Sequence, residues 1–132
     1  MKNEGHVERE SPFACVMEAI EPSKRQQHIA TTKFVFAAVN EIRELPNGYA
    51  FHLPNESEML RRVGDFISLE QLCCPFFGFT LEVERERGAV WLQLTGREGV
   101  KPFIQAEVGE FMGGDNVSIP LFAVSDDVPA RR

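Results

Sequence analysis

Long apolar runs are missing from this 132-residue chain. None approaches the roughly 18 residues of a membrane span. The N-terminus, Met1 to Glu10, lacks the apolar core of a secretory signal, so nothing in it directs export. Positive charge is in deficit, with 14 Lys and Arg against 20 Asp and Glu and a formal net charge of −6. An acidic surface repels phosphate backbones, which excludes a nucleic-acid-coating role. Gly-x-Ser-x-Gly, a phosphate-loop consensus and a Ser-His-Asp set are all absent, which removes the common hydrolase and nucleotide-binding signatures. Cysteine is scarce, and its count of three is odd. The three cannot all pair within one chain, so a reduced, cytoplasmic protein is the simplest expectation. No Cys-x-x-Cys redox motif occurs.

What is present is a globular composition, 43% hydrophobic and 26% charged, in a length suited to one domain. Residues 1–12 read as a polar arm, 13–111 as the domain, and 112–132 as a tail containing apolar residues. Phe13 to Met17 is short and apolar, as a buried strand would be. Pro22 opens a helix expected over 23–35, with Ile29, Thr32, Lys33 and Phe36 at helical spacing. Two extended runs flank Pro46-Asn47-Gly48, and Asn-Gly predicts a hairpin because both residues tolerate positive φ. Asn55 is placed to cap a helix whose apolar positions are Met59, Val63, Phe66 and Ile67, and Pro75 stops it. Phe77 to Val83 and Val90 to Leu94 read as strands joined by a turn at Glu86-Arg87-Gly88, and Val100 to Phe111 as a last helix. The fold class predicted is α+β: a single domain with a mainly antiparallel sheet, in which a ferredoxin-like split βαβ core gains a further strand and helix. That order makes the first strand a neighbour of the last in the core. It would therefore carry Cys15 toward the start of the strand that follows Pro75.

The most distinctive stretch is Glu70-Gln71-Leu72-Cys73-Cys74-Pro75-Phe76-Phe77. Residues three and four apart share a helix face, so Glu70 neighbours both thiols. With Cys15 brought close by the topology, three sulfurs and a carboxylate form a candidate site for a soft metal ion: Cys15, Cys73, Cys74 and Glu70. Zinc sites normally space their cysteine pairs by two to four residues, and adjacent cysteines diverge unless the backbone bends. A nucleophilic role is disfavoured. A helix C-terminus and Glu70 both add negative charge, whereas reactive thiols sit near positive charge. The bland alternative is that these cysteines are small apolar residues packed beside Phe76 and Phe77.

This stretch resembles a family of small bacterial α/β proteins carrying a Glu-x-x-Cys-Cys-Pro-Phe segment. A similar segment is appended to some regulators of the mercury-resistance type. The likeness extends over roughly Ala14 to Ile104. It includes Ala14-Cys15, Glu44-Leu45-Pro46-Asn47-Gly48-Tyr49 and Thr95-Gly96-Arg97-Glu98-Gly99-Val100. The chain departs from the pattern at Arg97, where proline is frequent, and in its tail. The resemblance implies a thiol or soft-metal theme by association and no specific activity.

A second candidate is an anion site at Gly96, Arg97 and Gly99, because a strand-to-helix turn presents backbone N–H groups and Arg97 adds charge. An ordinary connection explains the same glycines. His52 faces away from Phe51 and Leu53, and His28 has no partner at metal spacing. Eleven phenylalanines and the apolar residues 119–124 suggest a subunit or ligand surface. The function expected is a small cytoplasmic, non-enzymatic protein that binds or senses a thiophilic metal or metalloid. The alternative is an oligomerising or partner-binding module with structural cysteines, dimerising through the C-terminal tail. Neither reading calls for nucleic acid or a membrane.

Overall fold

The computed structural model describes residues 11–112. Its elements are a 3-10 turn Met17–Ala19, α1 (Pro22–Ala37), β1 (Glu41–Leu45), β2 (Gly48–Leu53), α2 (Ser57–Cys73), β3 (Gly78–Val83), β4 (Val90–Thr95) and α3 (Val100–Phe111). The four strands form one sheet in the order β1-β2-β4-β3, antiparallel at every pairing. The α+β class and the mainly antiparallel sheet are as expected. The strand expected at 13–17 does not form: that stretch is irregular chain leading into the 3-10 turn. The central place beside β2, which that strand would fill in a split βαβ order, belongs to β4. The polar arm through residue 10 and the tail from residue 113 lie outside the described residues.

All three helices pack on one face of the sheet. Tyr49, Leu94 and Phe79 are in register, as are Phe51, Leu92 and Leu81, so these six share a face. Phe36 of α1 meets Phe51 edge-on at 5.3 Å, Phe66 of α2 meets Phe79 at 6.1 Å, and Gln105 of α3 donates to the Tyr49 hydroxyl at 2.6 Å. Ile42, Val90, Val63 and Ile104 complete the core. On the opposite face Arg43 stacks over Trp91 at 4.4 Å and His52 lies 4.9 Å from the same ring. His52 is therefore the sheet-face histidine the alternation predicts, held by the Asn40 side chain.

Several local expectations change in the structure. In α1 the buried stripe is His28, Thr31, Thr32, Val35 and Phe36, while Ile29 and Lys33 face outward. The stripe keeps the i, i+3, i+4, i+7, i+8 rhythm, but three of its five members are polar, which blurs the hydrophobic signal. Asn55 does not cap α2; its amide donates to the Gly88 carbonyl and pins the β3–β4 loop. In that loop the positive φ angles fall on Glu86 and Arg87.

The first hairpin forms, but Leu45 pairs with Gly48, so the two loop residues are Pro46 and Asn47, and neither Asn47 nor Gly48 has positive φ. Gly48 matters for a different reason. A Cβ there would lie 2.0 Å from the Leu94 carbonyl oxygen, inside the strand crossing. Gly64, on the exposed side of α2, would place a Cβ in open space. Gly48→Ala should therefore cost about 1–3 kcal/mol through backbone displacement. Gly64→Ala should add about 0.5–1 kcal/mol by removing a flexible residue from a helix interior. Urea denaturation midpoints of the two variants should move in opposite directions.

Candidate thiol site

The site forms where α2 ends. Pro75 has no N–H and disfavours helical backbone at the residue before it, so Cys74 leaves the helix at φ −130° and ψ 68°. The Cys74 N–H still closes onto the Glu70 carbonyl at 2.8 Å, while the Cys73 carbonyl is left without a helical donor. The N–H of Val16 fills that vacancy at 2.8 Å, docking residues 11–20 across the end of the helix. Further contacts hold this strap. Arg97 donates to the Ser11 carbonyl at 2.6 Å and stacks on the Phe13 ring at 4.2 Å. Phe13 meets Phe76 edge-on at 5.3 Å, Arg25 donates to the Ile20 carbonyl at 2.8 Å, and Ile20 is fully buried.

The strap delivers Cys15 to Cys74, and the two form a disulfide spanning 59 residues of sequence. Cys73 remains a buried free thiol. The cysteine accounting is thus one pair and one thiol, rather than three reduced thiols. Cys73 and Cys74 do not diverge: the bend before Pro75 brings their sulfurs to 3.5 Å. One donor atom from each of Cys15, Glu70, Cys73 and Cys74 lies within 4.8 Å of every other. The predicted residues are therefore together, although the route is a docked strap and not a neighbouring strand.

Two further groups, His28 and Glu107, complete the surroundings of the predicted residues. Glu70 occupies a core position on the stripe Met59, Val63, Phe66, Glu70 and Cys73, only 4% exposed. A buried carboxylate needs partners. His28 Nε2 is 2.8 Å from Glu70 Oε1, and its ring lies against Phe66. The other ring nitrogen, Nδ1, is buried and has no hydrogen-bond partner among the described residues. The Cys73 thiol points at the same Glu70 oxygen from 3.8 Å. Glu107 of α3 places its oxygens 3.7 and 3.8 Å from Cys15 Sγ. No distance in sequence hints at Glu107; the packing of α3 beside the strap supplies it. His28 sat on a helix with a weak apolar pattern, and its single clue was its spacing from Thr31, Thr32, Val35 and Phe36.

Burial first, then the charges of Glu70 and Glu107, push the Cys73 thiol up to about 12. It stays protonated at neutral pH and is a poor nucleophile. Geometry adds to this. Displacement at sulfur needs the attacking, central and leaving atoms nearly in line. A linear arrangement would set Cys73 Sγ one S–S bond, about 2.05 Å, beyond its 3.5 Å contact, roughly 5.5 Å from Cys15 Sγ. The actual separation is within 4.8 Å, so the sulfurs form a triangle and internal exchange is disfavoured.

The second candidate, Gly96-Arg97-Glu98-Gly99, lines a cleft with Pro46, Asn47 and Lys101. Arg97 is engaged with Ser11 and Phe13, and Lys101 with Glu44 and the Leu45 carbonyl. Gly99 has φ +99°, and a Cβ on it would press on the Phe13 ring at 3.0 Å. In the structure this turn clamps the strap. No helix among the described residues is long and apolar enough to cross a membrane. No protein family, no curated protein and no solved structure matches the chain.

Burial, followed by the charges of Glu70 and Glu110, raises Glu107 from its ordinary range to about 7. An acid raised in the folded state favours folding below its unfolded pKa, and that contribution is lost as pH rises through the folded value. The window here runs from about 4.5 to about 7. Glu107→Gln should therefore melt higher than the parent at pH 8 and nearly with it at pH 4.5. Calorimetric scans at the two values check the sign.

Proposed function

We propose that this protein binds or senses a thiophilic metal or metalloid ion through Cys15, Cys73 and Cys74, with Glu70 as a fourth donor. The observation that carries this reading is the convergence of three sulfurs and one carboxylate oxygen within 4.8 Å. Thiolates suit zinc, copper(I) and softer ions, and a carboxylate can complete a four-coordinate set. His28 would act as the outer partner that fixes the Glu70 carboxylate, as hydrogen-bonded groups commonly do behind metal ligands. With the Cys15–Cys74 bond reduced, three sulfurs grouped around one point can contact a single ion, whereas a thiol relay needs them in line. The resemblance of Glu70 to Phe77 to the segment found on mercury-type regulators points the same way. The reading is of a cytoplasmic, non-enzymatic protein, consistent with a Cys73 sulfur held away from in-line attack geometry.

Native mass spectrometry of the reduced protein, titrated with zinc, arsenite and mercuric ion, tests this beside a Cys73→Ser, Cys74→Ser double variant. The expected result is one ion per chain for at least one titrant. That adduct should persist against competing small thiols and be absent from the double variant. Failure of the folded protein to bind any of the three, with ready uptake after denaturation, would mean that the cysteines are packing residues.

A further inference from the structure

Two of the proposed donors are bonded to each other, and this determines when the site is open. We propose that the Cys15–Cys74 disulfide is a redox lock on the soft-ion site, opened by attack of an external thiolate at Cys15. The inference rests on the soft-ion reading above and adds its regulation. Four observations converge. First, the disulfide withdraws two of the three sulfurs, leaving Cys73 and Glu70, which are too few for a stable soft-ion complex. Second, the site survives opening. Val16 N–H to Cys73 carbonyl, Arg97 to Ser11, Phe13 on Phe76 and the buried Ile20 all hold the strap without the S–S bond. Reduction therefore leaves the strap docked rather than released, with the Cys15 and Cys74 sulfurs parting to non-bonded distance beside Cys73.

Third, the lock has an outside and an inside. Cys15 is half-buried on the strap, whereas Cys74 is fully buried and Cys73 nearly so. Cys15, with the Glu107 carboxyl 3.7 Å from its Sγ, is the more exposed end of the bond and the one an incoming thiolate would meet first. Fourth, Cys73 cannot pick the lock itself, because the three sulfurs make a triangle.

The chemistry balances as two exchanges. A small thiolate, R–S⁻, bonds to Cys15 Sγ; the Cys15–Cys74 bond breaks, and Cys74 leaves as a thiolate and takes a proton from water. A second R–S⁻ then attacks the R sulfur of the mixed disulfide. R–S–S–R departs, and Cys15 leaves as a thiolate that is protonated in turn. Two R–SH are oxidised and one protein disulfide is reduced, and no other reactant is consumed. Reclosing needs a two-electron oxidant of the disulfide class, running the same steps in reverse.

The test uses the full chain in two states. The oxidised protein is prepared with a small disulfide oxidant and mapped by proteolysis without reductant. The reduced protein is kept under an inert atmosphere after removal of excess thiol. Both are titrated with cadmium(II), read by the ultraviolet sulfur-to-cadmium charge-transfer band and by native mass. Expected are a Cys15–Cys74 bond with one remaining thiol, one cadmium per reduced chain, and no adduct on the oxidised chain. Near-ultraviolet circular dichroism should be nearly the same in both states. Oxidised protein treated with limiting cysteamine and quenched in acid should carry the cysteamine on Cys15.

Equal binding by both states overturns the lock and leaves the soft-ion reading intact. Binding by neither state, extended to arsenite and mercuric ion, overturns the soft-ion reading instead. A bond mapped to another pair, loss of tertiary signal on reduction, or cysteamine on Cys74 each overturns the lock as described.

Discussion

The arrangement depends on a helix that is made to stop. Pro75 ends α2 by withholding an N–H and by forcing Cys74 out of helical geometry. That termination leaves the Cys73 carbonyl unsatisfied in a buried place, where an unpaired backbone oxygen is costly. The Val16 N–H satisfies it at 2.8 Å, and this bond joins the other contacts that position the strap. The placement of Cys15 against Cys74, of Phe13 among Phe76 and Phe103, and of Arg97 over Phe13 all accompany that docking.

Glu70 sets the second constraint. A carboxylate on the core stripe of α2 cannot stay bare, and the groups around it come from three helices: His28 from α1, Cys73 from its own helix, and Glu107 from α3. Burial and the two neighbouring carboxyl groups raise the proton affinity of Cys73, and burial beside Glu70 and Glu110 raises that of Glu107. The same environment that disfavours a nucleophile gathers carboxyl groups and sulfurs in one place. Stability is spent on keeping polar groups in the interior, which a purely structural core would have filled with leucine.

The redox lock follows from combining these constraints. A disulfide between a docked strap and a helix end would ordinarily be read as a staple. Here the strap also has its own hydrogen bonds and aromatic anchors beside that bond. What the bond does control is how many sulfurs are available beside Cys73.

Local sequence rules determined most of the elements. Proline at 22 and 75, the Pro46-Asn47-Gly48 break, and alternation in Tyr49 to Leu53 were enough to place the main helices and strands, though not the loop conformation of the first hairpin or the strand order of the sheet. The Glu70, Cys73 and Cys74 cluster was legible because helical spacing alone puts these residues on adjoining positions. The strand expected at 13–17 was misread because an apolar run of five residues buries equally well as a docked loop, and only the free carbonyl of Cys73 decides between them. His28 and Glu107 were out of reach for the same reason: their partners are 42 and, for Cys15, 92 residues away, and no periodicity spans such distances. The sequence by itself determined which residues could form the site. Tertiary packing alone decided that Cys15 would bond to Cys74 and leave Cys73 free, because the choice among three sulfurs is made by the direction from which the strap arrives.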